Sequence, residues 1–421
     1  MAMAARADNA LRMGNDAVAR DSLRRAREIL SGRKGDPGTE GSLHLTEGWL
    51  ALRQGDVPLA RANFAVSLKS STSTPDSVSN SQLDAMSGLV RTEVLAHNFD
   101  AALAAQTELE AVSARAPKFD ARAAVALDIE RGELLAAAGR YREALIHDES
   151  AIARCVSSLG SNDARCGRLV YDKAQALLRL GWPQRVRPDL PTLQAVMDDT
   201  SSPDSQAAAM LPLYRVYSAL GELTQQSALA DRVWAMTQSS EDVGIRSARK
   251  MYGLIYIAED RLRAGRAREA EELLNLALSK EPGKSSAGIS SETSAMARTL
   301  MGVALRSQHR LDESLTWLKQ ARVEREIALG PLHSVTLLCA LNEAQTLYAL
   351  GRSQEAIDLM RIAEPELRRT LGTDAPVYRR VVQLEADWQS LSTRDPNDSS
   401  RAAAAPSISS PLISSTDDFF S

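Results

Sequence analysis

Residues 265–282 read GRAREAEELLNLALSKEP, and the spacing of glycine and alanine in this stretch recurs along the chain. Gly265 is followed by Ala270 five positions later, by Leu274 nine positions later and by Ala277 twelve positions later. Small residues on one face of a helix let a neighbouring helix approach closely, and one larger side chain then fills the space between the two. The stretch therefore predicts a turn followed by a helix that packs against the helix before it.

The turn position recurs nine times, with 40 to 44 residues between successive copies. It is occupied by Gly14, Gly55, His97, Gly139, Gly181, Gly221, Gly265, His309 and Gly351. A glycine or alanine stands seven residues before seven of these nine positions, which predicts closely packed pairs of helices. A fixed period of this length is typical of solenoids, in which each pair of helices packs against its neighbours. We therefore predict an all-α fold, an α-solenoid of about nine helix pairs.

The pattern resembles the tetratricopeptide repeat (TPR). The joints at 159–163, 329–333 and 371–376 resemble the Leu-Gly-x-x-His/Asp-Pro joint of its longer, kinesin-light-chain-like subtype, which is found in bacterial signalling and scaffold proteins. The resemblance covers about residues 2–392. It implies a right-handed superhelix whose first helices line a concave groove, and it implies binding of a protein or peptide rather than catalysis.

The repeats predict an elongated array in which one repeat is irregular. Residues 1–182 and 207–374 are predicted to form N-terminal and C-terminal groups of repeats. In the repeat between them, 183–206, three prolines fall where the second helix should begin, which predicts a shortened helix and a possible hinge.

The chain beyond the last repeat is predicted to have two parts. Between 375 and 392, apolar residues lie at spacings of 4, 3, 4 and 3, which predicts a capping helix on the last repeat. These residues are Val377, Val381, Leu384, Trp388 and Leu391. Residues 393–421 are rich in Ser, Ala, Pro and Asp, which predicts a disordered tail.

Charge and composition indicate where the protein is located and which classes of partner it does not bind. The formal net charge is -4 and the pI is about 5.9, which argues against direct binding of nucleic acid. The sequence shows neither a stretch of about 18 apolar residues nor the basic and then apolar order of a secretory signal at its start. We predict a cytoplasmic protein that binds no membrane.

Cys155 and Cys166 bracket a joint and could approach each other, but the odd total of three cysteines favours reduced thiols.

The sequence predicts no site for catalysis, for a cofactor or for a metal. The five histidines are scattered and have no Ser or Cys partner in a recognisable motif, and neither Cys-x-x-Cys nor a His pair at ligand spacing occurs. Gly283-Lys284-Ser285 imitates the end of a phosphate-binding loop, but the first glycine of that loop is replaced by Leu278. We predict that the protein is not an enzyme.

The predicted binding site is the groove. Helix-A positions that face the groove in TPR-like superhelices are mainly apolar here, which would suit a peptide with hydrophobic anchors. The predicted partner-binding residues are Trp49, Leu52, Tyr171, Gln175, Arg215, Tyr252, Ile255, Glu259, Arg306, Gln345 and Tyr348. Arg12, Arg53, Arg179 and Arg263 stand two residues before the turn, where they complement the helix dipole or form an anion track.

Two functional hypotheses follow. The first is a non-enzymatic scaffold that binds a peptide or partner domain in the groove, with a homodimer as a further possibility. The alternative is the C-terminal sensory or regulatory region of a longer bacterial signalling protein, which would carry a kinase, a nucleotide-binding switch or a winged-helix transcriptional regulator.

Overall fold

The computed structural model describes residues 2–13, 15–31, 37–71, 78–116, 119–198, 203–238, 245–279 and 289–392. Within these ranges the chain forms α-helices and one 3₁₀ helix, and no β-strand. The chain divides into two compact units, Met1–Ala138 and Gly139–Ser421.

The N-terminal unit is built from helices that pack against their neighbours in the sequence. Its helices are α1 (Ala2–Arg12), α2 (Asp16–Ser31), α3 (Pro37–Arg53), α4 (Val57–Ser71), α5 (Asn80–Leu95), α6 (Phe99–Ser113) and α7 (Ala121–Ala137).

The C-terminal unit follows the same plan. Its helices are α8 (Tyr141–Leu159), α9 (Ala164–Arg179), a 3₁₀ helix (Pro183–Asp189), α10 (Leu190–Asp198), α11 (Pro203–Leu220), α12 (Leu223–Gln238), α13 (Ile245–Arg263), α14 (Ala267–Ser279), α15 (Ile289–Ser307), α16 (Leu311–Leu329), α17 (Ser334–Ala349), α18 (Ser353–Leu371) and α19 (Pro376–Ser392).

The turn positions explain the period. Gly14 lies outside the described residues, and each of the other eight has a positive φ, between 55° and 79°. Glycine adopts this left-handed conformation readily, whereas other residues do so at a cost. His97 (φ 55°) and His309 (φ 60°) adopt it as well, so these two histidines occupy glycine positions. The predicted fold class, an α-solenoid of paired helices with a capping helix, is confirmed.

Close packing of the pairs depends on the small residues. The ring of Phe64 on α4 is fully buried between Gly48 on α3 and Gly88 on α5. A Cβ atom added at Gly48 or Gly88 would lie 2.7 Å or 2.4 Å from that ring. Gly302 and Leu318 repeat the arrangement, with a hypothetical Cβ 2.5 Å from the leucine side chain. Large apolar residues on the second helices therefore fill the space that glycines on the first helices leave open.

The repeat that contains Pro183, Pro188 and Pro191 departs from the others. Its second segment is a 3₁₀ helix followed by the nine-residue helix α10, so the second helix is shortened as the prolines predict. The boundary between the two compact units falls elsewhere, at Ala138 and Gly139. A hinge in 183–206 stays a prediction.

At the end of the described chain, α19 covers the last repeat. Val377, Val381, Leu384 and Trp388 are each at most 1% exposed. The Trp388 ring stacks on Tyr348 of α17 with 4.8 Å between ring centroids. The predicted tail, 393–421, lies outside the described residues.

The C-terminal unit closes on itself. Helix α8, near its start, contacts α18, near its end. Nη2 of Arg142 on α8 donates to Oδ2 of Asp374, just before α19, over 2.9 Å. The turn at Gly181 lies against Pro376 and Val377. The first and last repeats of this unit are therefore neighbours in space.

A disulfide corrects the prediction of reduced thiols. Cys155 at the end of α8 is bonded to Cys166 in α9, with Cα atoms 5.6 Å apart, and both residues are buried. The joint at 159–163 turns the chain back so that the two cysteines meet. Cys339 is free and buried. Because disulfides are typical of oxidising compartments, the cytoplasmic localisation stays a prediction.

Candidate functional site

Trp49 and Leu52 are the predicted site residues of the N-terminal unit. Both lie on α3 and are half-buried beside Phe64. The ring of Trp49 meets that of Phe64 edge to face at 5.2 Å, and the guanidinium of Arg91 lies 5.5 Å from the Trp49 ring centroid. Trp49 is thus partly buried against the core, and whether Trp49 or Leu52 contacts a partner stays a prediction.

In the C-terminal unit, several predicted residues do come together. Nη1 of Arg215 on α11 donates to Oε1 of Gln175 on α9 over 3.1 Å. The Arg215 guanidinium lies 5.4 Å from the ring centroid of Tyr256, and the rings of Tyr252 and Tyr256 on α13 are 6.2 Å apart. We call the face that carries Tyr171, Gln175, Arg215, Tyr252 and Tyr256 the groove wall.

Tyr171 extends this face along α9. The guanidinium of Arg168 lies 5.0 Å from its ring centroid. Burial raises the pKa of the Tyr171 hydroxyl well above its usual range, so the hydroxyl keeps its proton even in basic solution. Tyr171, Tyr252 and Tyr256 each keep part of their surface exposed. The groove wall therefore presents aromatic rings flanked by cations.

Arg306 on α15 lies further along the same series of first helices. Its Nη1 donates to the backbone oxygen of Asn342 over 2.9 Å and to Oγ1 of Thr346 over 3.4 Å. Protein atoms crowd the guanidinium, although part of the side chain reaches solvent, and burial lowers its pKa to about 10. At neutral pH it still carries its charge.

Four other predicted residues are largely buried or are held by contacts within the protein. Ile255 has no exposed surface and belongs to the core between α13, α14 and α15. Glu259 is 2% exposed and pairs with Arg263 over 3.0 Å. Gln345 is 5% exposed, and Tyr348 is held by its stack on Trp388. Whether any of these four contacts a partner stays a prediction.

A polar cluster beside Glu259 fixes α11 against α13. Asp260 accepts hydrogen bonds from Ser218 Oγ over 2.7 Å, from Arg263 Nη1 over 2.9 Å, and from Tyr214 and Gln226. Burial of the ring, and after it the charge of the Asp260 carboxylate and the hydrogen bond to it, raise the pKa of Tyr214 far above its usual range. The cluster thereby holds the helix that carries Arg215.

The arginines before the turns have separate partners. Arg53 donates to the backbone oxygen of Leu11 over 2.7 Å, Arg179 lies 5.9 Å from the ring centroid of Tyr141, and Arg263 pairs with acids of its own helix. The Arg12 side chain lies outside the described residues. These contacts favour the structural interpretation over the anion track.

Tyr256 and Arg168 were not among the residues predicted from the sequence. Tyr256 follows Tyr252 by four residues, so both lie on one face of α13. Arg168 precedes Tyr171 by three residues on α9. A search for side chains three or four positions from each predicted tyrosine would have found both.

The described residues hold neither a metal-binding cluster nor a membrane-spanning helix. No three His, Cys, Asp or Glu side chains of the described ranges are grouped so that they could hold a metal ion. Among the helices described, none is both long and apolar enough to span a membrane.

Comparison with known proteins identifies the repeat. Residues 293–363 match the family model of the tetratricopeptide repeat, and they span most of α15, all of α16 and α17, and part of α18. The solved structure of the apo form of the quorum sensor NprR from B. thuringiensis is similar, with a TM-score of 0.44 and 12% identity, covering 82% of this chain and 97% of that chain. No curated protein matches the sequence. The matched repeats support a role as an interaction or regulatory scaffold.

Proposed function

Because the chain carries tetratricopeptide repeats in an α-solenoid, we propose that it is a non-enzymatic interaction protein that binds a peptide or partner domain. The proposed site is the groove wall of the C-terminal unit. The observation that carries the proposal is the group of partly exposed tyrosines on α9 and α13, which neighbouring polar groups hold in place.

The tyrosines offer partly exposed aromatic surface to a partner. Tyrosine rings lose little conformational entropy on binding and bury a large area, so they are frequent energetic centres of interfaces. Tyr252 and Tyr256 stand one helical turn apart, and Arg215 supports the second ring. An extended peptide or a helix could cover both rings while its polar groups meet the surrounding side chains.

The experiment compares capture by three forms of the full chain. The test variant is Tyr252→Ala with Tyr256→Ala, and the control is Trp234→Ala, an exposed aromatic on the second helix α12. Each form is immobilised and exposed to a native lysate, and the retained proteins are quantified by mass spectrometry. We expect a protein that the wild type and the control retain and the double variant loses, with circular dichroism unchanged. Equal capture by all three forms would contradict a site on the groove wall.

A further inference from the structure

Two turns of the C-terminal unit are covered by chain from the far end of the same unit. A Cβ atom added at Gly139 would collide with Oγ of Ser334, at the start of α17. A Cβ atom added at Gly181 would lie 3.1 Å from Cγ2 of Val377 and 3.2 Å from Cβ of Pro376, at the start of α19. Turns of early repeats therefore rest on the starting ends of first helices in late repeats.

The two contacts are related by one repeat on both sides. Gly139 and Gly181 are the turns of successive repeats, and α17 and α19 are successive first helices. Ser334 follows Gly139 by 195 positions, and Pro376 follows Gly181 by the same number. In a solenoid each repeat is placed on its neighbour in a similar way, so a contact made by one repeat recurs at the next. The next turn, at Gly221, would be covered by the chain that follows α19.

In the described structure the turn at Gly221 is uncovered. No atom of the described residues lies within 4 Å of a Cβ atom added there. Leu223, two positions later, is 74% exposed, whereas Tyr141, two positions after the covered Gly139, is 5% exposed. Single exposed leucines are common on protein surfaces, and this one is distinguished by its place in the stack. We call residues 221–223 the open turn.

The sequence after α19 suits the open turn. At the covered turn of Gly181, residues 375–377 read Ala-Pro-Val, and the proline and the valine make the contact. Residues 410–413 read Ser-Pro-Leu-Ile, which repeats the order of a small residue, a proline and an aliphatic residue. Residues 402–416 carry no charged side chain, so this segment can cover an apolar turn with no charge to desolvate.

The chain is also long enough to reach the open turn. Helix α19 has 17 residues, so it is about 25 Å long, and its end lies near the end of α17 because Trp388 stacks on Tyr348. From Ser392 the segment must return along that length and move sideways by one repeat, about 20 Å for two packed helices. The straight path is about 32 Å and needs about ten extended residues. Pro411 stands 19 positions after Ser392, so the segment reaches with slack.

We propose that residues 410–413 of the chain's own C-terminal segment dock on the open turn, with Leu412 covering Leu223, and thereby continue the stack by one repeat. A tether of this length holds the segment at a millimolar effective concentration, so a small apolar contact is enough for docking. The docking concerns the turn before α12 and not the tyrosines of α9 and α13. It goes beyond the proposed function and can fail separately from it.

The test is photo-crosslinking in the full chain. The light-activated residue p-benzoylphenylalanine replaces Leu223 in the test form and Ile327, an exposed residue of α16, in the control form. Trypsin cuts after Arg215, Arg232 and Arg401, so residues 216–232 and 402–421 are released as single peptides. We expect mass spectrometry to find these two peptides joined in the test form, and the control form to join 402–421 about tenfold less often or not at all.

Mixing with an isotope-labelled wild type identifies the chain that supplies the segment. The test form is irradiated with an equal amount of labelled wild type. We expect the crosslinked 402–421 peptide to be unlabelled, because it belongs to the chain that carries the crosslinker. A labelled peptide would assign the open turn to a second copy of the chain and overturn the proposal.

Two variants test the apolar contact. Leu412→Asp with Ile413→Asp should reduce the crosslinked product about fivefold or more. The matched control, Ser409→Asp with Ser414→Asp, adds the same charge and leaves both apolar side chains, so it should stay within about twofold. In chains without the crosslinker, amide hydrogen exchange of residues 223–229 should be about threefold slower with the natural segment than with Leu412→Asp and Ile413→Asp.

The proposal is overturned if 402–421 is not crosslinked from position 223, or is crosslinked equally from position 327. It is overturned as well if the Leu412 and Ile413 variant keeps the crosslinked product or leaves the amide exchange unchanged. None of these results bears on the capture experiment, which tests the groove wall through Tyr252 and Tyr256.

Discussion

Replacing Arg306 by methionine should stabilise the free protein. Burial lowers the pKa of its guanidinium from an ordinary value of 12.5 to about 10, which corresponds to about 3 kcal/mol of lost hydration. The 2.9 Å hydrogen bond to Asn342 returns about 1.5 kcal/mol, and the 3.4 Å contact with Thr346 returns little. Methionine removes the charge and still fills the space, so the free energy of unfolding should rise by about 1–2 kcal/mol.

Neither acceptor is stranded by this change. Oγ1 of Thr346 also donates to the Asn342 oxygen over 3.2 Å and contacts Ser314 Oγ at 3.2 Å. A cation with a lowered folded-state pKa destabilises the fold at every pH below that pKa, and the penalty fades as pH rises through it. The gain from methionine should therefore be constant between pH 6 and pH 9.

The assay is urea unfolding of wild type and Arg306→Met, followed by circular dichroism at three pH values in that range. Arg322→Met is the matched control. It leaves the buried carboxylate of Glu343 without its ion-pair partner, so it should lower the free energy of unfolding by about 3 kcal/mol. A loss of 1 kcal/mol or more for Arg306→Met would refute the reasoning, because Arg306 would then be a structural tie between α15 and α17.

Three further predictions concern packing, turns and the disulfide. Phe64→Ala empties the space between Gly48 and Gly88 and should lower the free energy of unfolding by about 3–5 kcal/mol in urea titrations, and a loss below 1 kcal/mol would contradict this packing. His309→Gly should raise the thermal midpoint and add about 1 kcal/mol of stability, because glycine relieves the left-handed φ. Gly265→Ala should lose about 1 kcal/mol of stability from its φ of 73° alone, since no atom lies within 4 Å of the new Cβ. Cys155→Ala with Cys166→Ala should cost about 3 kcal/mol and make the midpoint insensitive to dithiothreitol; a wild type equally insensitive would show that the bond does not stabilise the fold.

The repeat could be predicted because it depends on local requirements. A turn with positive φ selects glycine, and close helix contact selects Gly or Ala, so both leave a mark in every repeat. Even His97 could be assigned to a turn, because it stands where the period requires a glycine, although histidine is not a typical turn residue. The shortened second helix followed from the prolines in the same way.

The site and the crosslink were harder to predict because they depend on how whole helices are oriented. Ile255 and Tyr256 are neighbours in the sequence, and the rotation of α13 alone decides that Tyr256 faces the groove wall while Ile255 enters the core. The Cys155–Cys166 bond requires the joint to bring two Cα atoms within 5.6 Å, which spacing in the sequence does not fix.

The contact between α8 and α18 limits how this protein can change over evolution. Solenoids usually lengthen or shorten by whole repeats, since each repeat needs only its neighbours. Here Arg142 meets Asp374 from 232 positions away, so duplicating or deleting any repeat between them would shift one partner by about 10 Å. We therefore expect homologues of the C-terminal unit to vary in residues and loops rather than in the number of repeats.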